Sequence, residues 1–232
     1  MLNQAFDRLQ SYDWGTDPGE LKSIDEAVVA TCGDAAARQD LETRLAAVLK
    51  TDASRAAKDF VCRKLMVIGT AASVPALAAL LSQEELSHMA RFALERIPDS
   101  QAAAALRTAL KKTSSALQVG IISSLGTRQD AESVTALAAL VDQSDQAVAR
   151  AAALALGTIG TPEAAQALAG ARPADAEVRL AATDASLACA EQLLASGDKV
   201  SALAMYKKFA GGDRPKHVRL AATRGMLACA GK

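Results

Sequence analysis

Residues 178–190 read VRLAATDASLACA, and residues 218–230 read VRLAATRGMLACA; ten of the thirteen letters agree. A chain that writes nearly the same helix twice is meeting the same packing problem twice, which is the signature of a repeat architecture. Aligned on their apolar positions, further copies run toward the N-terminus. They are VARAAALALGTIG (148–160), LQVGIISSLGTRQ (117–129), LSHMARFALERIP (86–98) and AKDFVCRKLMVIG (57–69). From residue 57 to residue 218 the starts are separated by 29, 31, 31, 30 and 40 residues.

A second ladder runs in register with the first. SVPALAALL (73–81), QAAAALRTAL (101–110), SVTALAALV (133–141) and EAAQALAGA (163–171) each follow a first helix. Leu77, Leu106, Leu137 and Leu168 hold one position in it, spaced 29, 31 and 31 apart. Two ladders with one period predict antiparallel helix hairpins of about 12 residues per helix, each about 18 Å long. Such a hairpin cannot cover its own apolar face; stacking against its neighbours does so.

The breaks between segments suit hairpins. Gly69, Gly126 and Gly160 fall where first helices end, where a left-handed residue caps a helix. Pro98 blocks continuation at the matching site, and Thr161-Pro162 reads as an N-cap with proline in the first turn. Asp145 and Asp175 suit helix starts, and Ser82 to Glu85 has capping-box spacing. The expected fold is therefore all-α, a right-handed α-solenoid of stacked antiparallel hairpins. Residues 1–52 are more charged and read as capping helices. Residues 53–232 read as the repeats, continuous with the cap as one solenoid domain.

Composition agrees. Half of the 232 residues are hydrophobic and only 3% are aromatic, so alanine and leucine carry the apolar content. Alanine has the highest helix propensity and permits close helix approach. Lys plus Arg and Asp plus Glu each number 26, giving no net charge. Nucleic-acid binders usually carry a basic excess, so no nucleic-acid partner is expected. No apolar run reaches the roughly 18–20 residues of a membrane span, and the N-terminus lacks the pattern of a signal peptide. A cytoplasmic location is expected. Cys32, Cys62, Cys189 and Cys229 form no C-x-x-C pair and read as buried free thiols; Cys189 and Cys229 sit one repeat apart, too far to bridge.

The runs LMVIGTAASVPALAALL and LGTIGTPEAAQALAGA, with Arg150 to Gly160 (RAAALALGTIG), resemble HEAT repeats of the short, phycobilisome-lyase type, over about residues 53–230. The resemblance implies a binding scaffold whose second helices line a concave face. Two family-derived alternatives are a lyase-like subunit acting on a tetrapyrrole-bearing protein and a DNA-binding protein related to HEAT-like alkylpurine glycosylases. The shortage of aromatics and the lack of clustered histidines argue against the first, and the neutral charge and single tryptophan argue against the second.

Catalytic motifs are absent from the sequence. His88 and His217 lie far apart, each at the start of a first helix, and there is no phosphate loop, zincin motif or nucleophile elbow. The expectation is no enzyme, no cofactor and no metal, with a protein or peptide partner. Candidate contact residues are Arg107, Lys111 and Lys112 on one second helix, and Tyr206, Lys207 and Lys208 on another. Trp14, the only tryptophan, either anchors a partner or packs the N-terminal segment. Arg179 and Arg219 recur at matching positions, which predicts a structural pairing with loop carboxylates.

Overall fold

The computed structural model describes residues 1–212 and 214–231. Helices and 3-10 turns account for its regular structure, with no strand among the described residues. The helices are α1 (Leu2–Ser11), α2 (Lys22–Ala30), α3 (Ala35–Val48), α4 (Arg55–Ile68), α5 (Val74–Ala78), α6 (Ser87–Arg96) and α7 (Ser100–Leu110). They continue with α8 (Ser115–Thr127), α9 (Val134–Val141), α10 (Gln146–Ile159), α11 (Pro162–Gly170), α12 (Ala176–Ala195), α13 (Lys199–Phe209) and α14 (Lys216–Cys229). Every segment of the two ladders is helical. The chain forms two compact units, Met1–Leu117 and Gln118–Lys232.

In the first unit α4 packs beside α6, α5 beside α7, and α3 against α4. In the second unit α12 packs against α10 and α14, while α11 packs against α9 and α13. First helices thus neighbour first helices and second helices neighbour second helices, the arrangement of an α-solenoid. Leu77 and Leu106 are fully buried on the packed pair α5 and α7, and Leu137 and Leu168 are buried on α9 and α11.

Polar contacts repeat with the same period. The Asp142 carboxylate accepts from the Arg172 N–H at 2.8 Å, and Gln146 Nε2 donates to Asp175 at 2.9 Å. Gln129 Nε2 donates to the Thr158 carbonyl at 3.3 Å. Each bond joins residues 29 or 30 positions apart, so it ties one hairpin to the next.

Several caps form as the residues predict. Asp145 accepts from the N–H groups of Ala147 and Val148, Asp175 from those of Glu177 and Val178, and Thr161 from that of Ala164. α6 ends at Arg96, two residues before Pro98. Three glycines were expected in left-handed caps, but only Gly160 is one, with φ 66°. Gly69 is extended. Gly126 lies inside α8, where a Cβ would sit 3.0 Å from Ala155 Cα; Gly157 meets Ala185 in the same way, at 2.9 Å. These two glycines serve close contact between first helices, and the left-handed turn after α8 falls on Gln129, φ 52°. The capping box at Ser82 does not form either: α6 starts at Ser87, with Leu86 at the cap and no side-chain bond.

The N-terminal residues anchor to the first hairpin through α3. Arg38 donates from Nε to the Ile68 carbonyl (3.0 Å) and from Nη2 to the Val67 carbonyl (3.1 Å), placing a cation on the C-terminal carbonyls of α4. One turn along, the buried Glu42 carboxylate accepts from Thr70 N–H (2.6 Å), Thr70 Oγ1 (2.9 Å) and Ser73 Oγ (2.5 Å). Two residues of α3 thereby grip both sides of the α4–α5 turn.

Candidate functional site

Second helices α11 and α13 pack side by side with small residues between them. Ala165, Ala169, Gly170 and Ala204, together with Met205 and Lys208, line a groove of about 400 Å³. The alanines and glycine of its lining leave room for another backbone to approach, with Gln166, Met205 and Lys208 as its longer side chains. Lys208 also lines a second, larger groove of about 510 Å³ at the ends of the same helices.

That second groove is basic. Arg172, Arg179, Lys208 and Arg214 line it with Phe209, and none of the described lining residues is acidic. Arg172 Nη1 donates to the carbonyls of Ala169 (3.1 Å) and Ala171 (2.7 Å), and Arg179 Nη1 donates to Pro173 (3.1 Å) and Ala174. Arg214 stands with its Cζ 5.0 Å from the Phe209 ring centroid. Cations near the ends of α11 and α13 are favoured by the carbonyl ends of those helices, which explains part of the cluster. Arg179 was expected to pair with loop carboxylates; it bonds loop carbonyls instead.

The sequence-derived contact residues scatter. Lys207 and Lys208 are exposed on α13, but Tyr206 beside them is only 2% exposed. Its side chain turns inward, so Tyr206 is withdrawn from the contact surface. Burial and the nearby Glu191 and Cys229 push its hydroxyl pKa up to about 12. In the first unit Arg107 is half-buried near the end of α7, and Lys111 and Lys112 are exposed just beyond that helix. Trp14 is 66% exposed in the turn after α1; the residue that packs that segment is Tyr12, whose ring stands 6.4 Å from that of Phe60. Sequence reading missed Arg172 and Arg214 altogether. They lie in loops outside both ladders, and only the fold brings them to Lys208.

The first unit holds a further groove of about 410 Å³ between α4 and α6, lined by Met66, Met89, Phe92, His88, Cys62 and the Asp59–Arg63 ion pair, among others. His88 Nδ1 stands 3.2 Å from Arg91 Nη2, and because a guanidinium can only donate, the ring nitrogen is the accepting side of this contact. Burial, with Asp59 nearby, pushes the Cys62 thiol up to about 12, and burial pushes Cys189 up to about 11. The four cysteines are free as expected, but Cys32 is exposed and Cys229 only half-buried, since both lie near helix ends. No group of three or more His, Cys, Asp or Glu side chains that could hold a metal ion occurs among the described residues. None of their helices is long and apolar enough to cross a membrane.

A family model for HEAT repeats matches residues 103–188. Comparison with curated proteins returns no match. Among solved structures, the chain is similar to human deoxyhypusine hydroxylase in complex with glycerol, at 15% identity and a TM-score of 0.37, over 100% of this chain and 96% of that one. That protein is an enzyme by its name, so the expectation that this chain is no enzyme is withdrawn. A likeness at this level assigns no reaction to the chain.

Proposed function

With HEAT repeats over residues 103–188 as the premise, we propose that the protein is a helical-repeat scaffold that binds an acidic segment of a protein partner across α11 and α13. The observation that carries the reading is the shallow alanine- and glycine-floored groove between these helices, which runs through Lys208 into a groove lined by three arginines. Repeat stacks present extended surfaces of this kind, on which affinity is spread over several helices. The small floor supplies close contact, and the cations at its end favour negative charge and speed encounter. Arg107 near the end of α7 and Lys111 just beyond it offer further charge of the same sign in the first unit.

Photo-crosslinking tests this. A benzoylphenylalanine at Gln166 or Ala204 should capture a protein partner, whereas the same group at Leu180 or Leu220 on the first helices should not. The double charge reversal Lys207→Glu, Lys208→Glu should weaken capture with the helical circular dichroism unchanged. A second double reversal, Arg107→Glu with Lys111→Glu, asks whether the first unit contributes. Equal capture from first-helix and second-helix positions rejects the assignment of this face.

A further inference from the structure

The basic groove offers cations that are already held in place. In both Arg172 and Arg179 the two Nη1 protons are spent on backbone carbonyls, those of Ala169 and Ala171 at the end of α11 and those of Pro173 and Ala174 in the loop after it. Among the described residues nothing engages their Nε–Nη2 edges, the edge with which a guanidinium grips an oxyanion in two parallel bonds. Arg214 is braced on the Phe209 ring, and Lys208 adds a fourth positive charge. None of the described residues lining the groove is acidic, and the nearby Asp142 carboxylate is engaged by the Arg172 backbone N–H.

A single carboxylate has two oxygens and one charge, and one arginine edge satisfies it. Two fixed arginine edges with two more cations exceed that need. They match a phosphoryl group, which carries close to two negative charges and three acceptor oxygens near neutral pH. Holding the guanidinium groups in advance also lowers the entropy lost on binding. We propose that this groove binds the phosphorylated serine or threonine of a partner segment. The inference rests on the protein-binding reading above and names the group recognised at that surface.

Two probes separate the pocket from the scaffold reading. Phenyl phosphate reports on the pocket alone; the pentapeptide acetyl-Ala-Ala-phosphoserine-Ala-Ala-amide and its Ser and Glu counterparts report on a peptide. In ¹⁵N spectra of the arginine side chains, phenyl phosphate should shift the Nε–H signals of Arg172 and Arg179. By calorimetry the phosphopeptide should bind at least about tenfold more tightly than the Glu peptide. The pair Lys208→Gln, Arg214→Gln touches none of the carbonyls that hold Arg172 and Arg179, so it should fold normally and lose most of the difference; Lys50→Glu, at an exposed site just after α3, should retain it. Equal affinity for the phosphoserine and Glu peptides overturns the proposal. Tighter binding of a twelve-nucleotide oligothymidylate at the same arginines also overturns it, in favour of a nucleic-acid site. Shifts with phenyl phosphate but no capture at Gln166 or Ala204 would leave the phosphoryl pocket standing and reject the scaffold reading.

Discussion

The ring of Tyr206 on α13 lies flat against the space that Gly225 leaves open on α14: a Cβ at Gly225 would fall 2.2 Å from Tyr206 Cζ. The twin helix α12 has Ala185 at the matching position, where it faces Gly157 of α10: a Cβ at Gly157 would fall 2.9 Å from Ala185 Cα. Small thus meets small between α10 and α12, while at α14 a glycine makes room for an aromatic ring. One of the three letters that differ between VRLAATDASLACA and VRLAATRGMLACA is therefore a packing difference. The sequence repeats the helix; its neighbour changes.

Gly225→Ala should consequently be unfavourable although alanine is the better helix former. Overpacking against a buried ring costs about 1–3 kcal/mol, against a propensity gain of about 1 kcal/mol. In urea unfolding the variant should have a lower midpoint, and in a Tyr206→Ala background the same change should be neutral or stabilising. A lower midpoint in both backgrounds would show that the ring is not the cause.

Tyr206, one of two tyrosines in the chain, should ionise late. Tyr206 is raised to about 12 by burial, whereas in the unfolded chain it ionises near 10. The unfolded state therefore releases this proton first as pH rises. The contribution of Tyr206 to stability is complete below pH 10 and is lost between about pH 10 and 12. Absorbance at 295 nm should show one late tyrosine, and Tyr206→Phe should remove that step.

Glu42 holds the α4–α5 turn from α3 through a buried carboxylate with three donors, Thr70 N–H, Thr70 Oγ1 and Ser73 Oγ. Glu42→Ala leaves the turn N–H and hydroxyls without their acceptor. Lost hydrogen bonds to a charged group cost about 1.5–3 kcal/mol each in such settings. Hydrogen exchange should accelerate at Thr70 and Ala72 before it does at Leu106. Unchanged protection at Thr70 would contradict this role.

Thiol modification should rank the cysteines by surroundings. Cys62 and Cys189, with pKa values raised to about 12 and about 11, stay protonated at pH 8 as well as buried. Iodoacetamide acts on thiolates, so mass spectrometry of the native protein should find Cys32 labelled first, Cys229 later, and Cys62 and Cys189 only after denaturation. Early labelling of Cys62 would show that the groove between α4 and α6 opens.

Much of the fold is legible in the letters, because a helix stack is written by local rules. Apolar period, helix-starting aspartates at 145 and 175, Thr161-Pro162 and Pro98 each act within a few residues, so reading them needs no knowledge of the partner helix. The row of leucines follows, since every hairpin must bury the same stripe. What the letters could not show depends on which atoms lie opposite. Gly126 and Gly160 look alike in sequence, yet one is a contact point against Ala155 and the other a left-handed cap. Tyr206 beside two lysines reads as surface, and only Gly225, nineteen residues on, makes it core. The basic groove is of the same kind: Arg172, Arg179, Lys208 and Arg214 share no local motif and meet because stacking brings separate loops and helix ends together. Sequence by itself determined the helices and their order, whereas the tertiary structure decided which small residues touch and which charges converge, since these depend on distances across the stack.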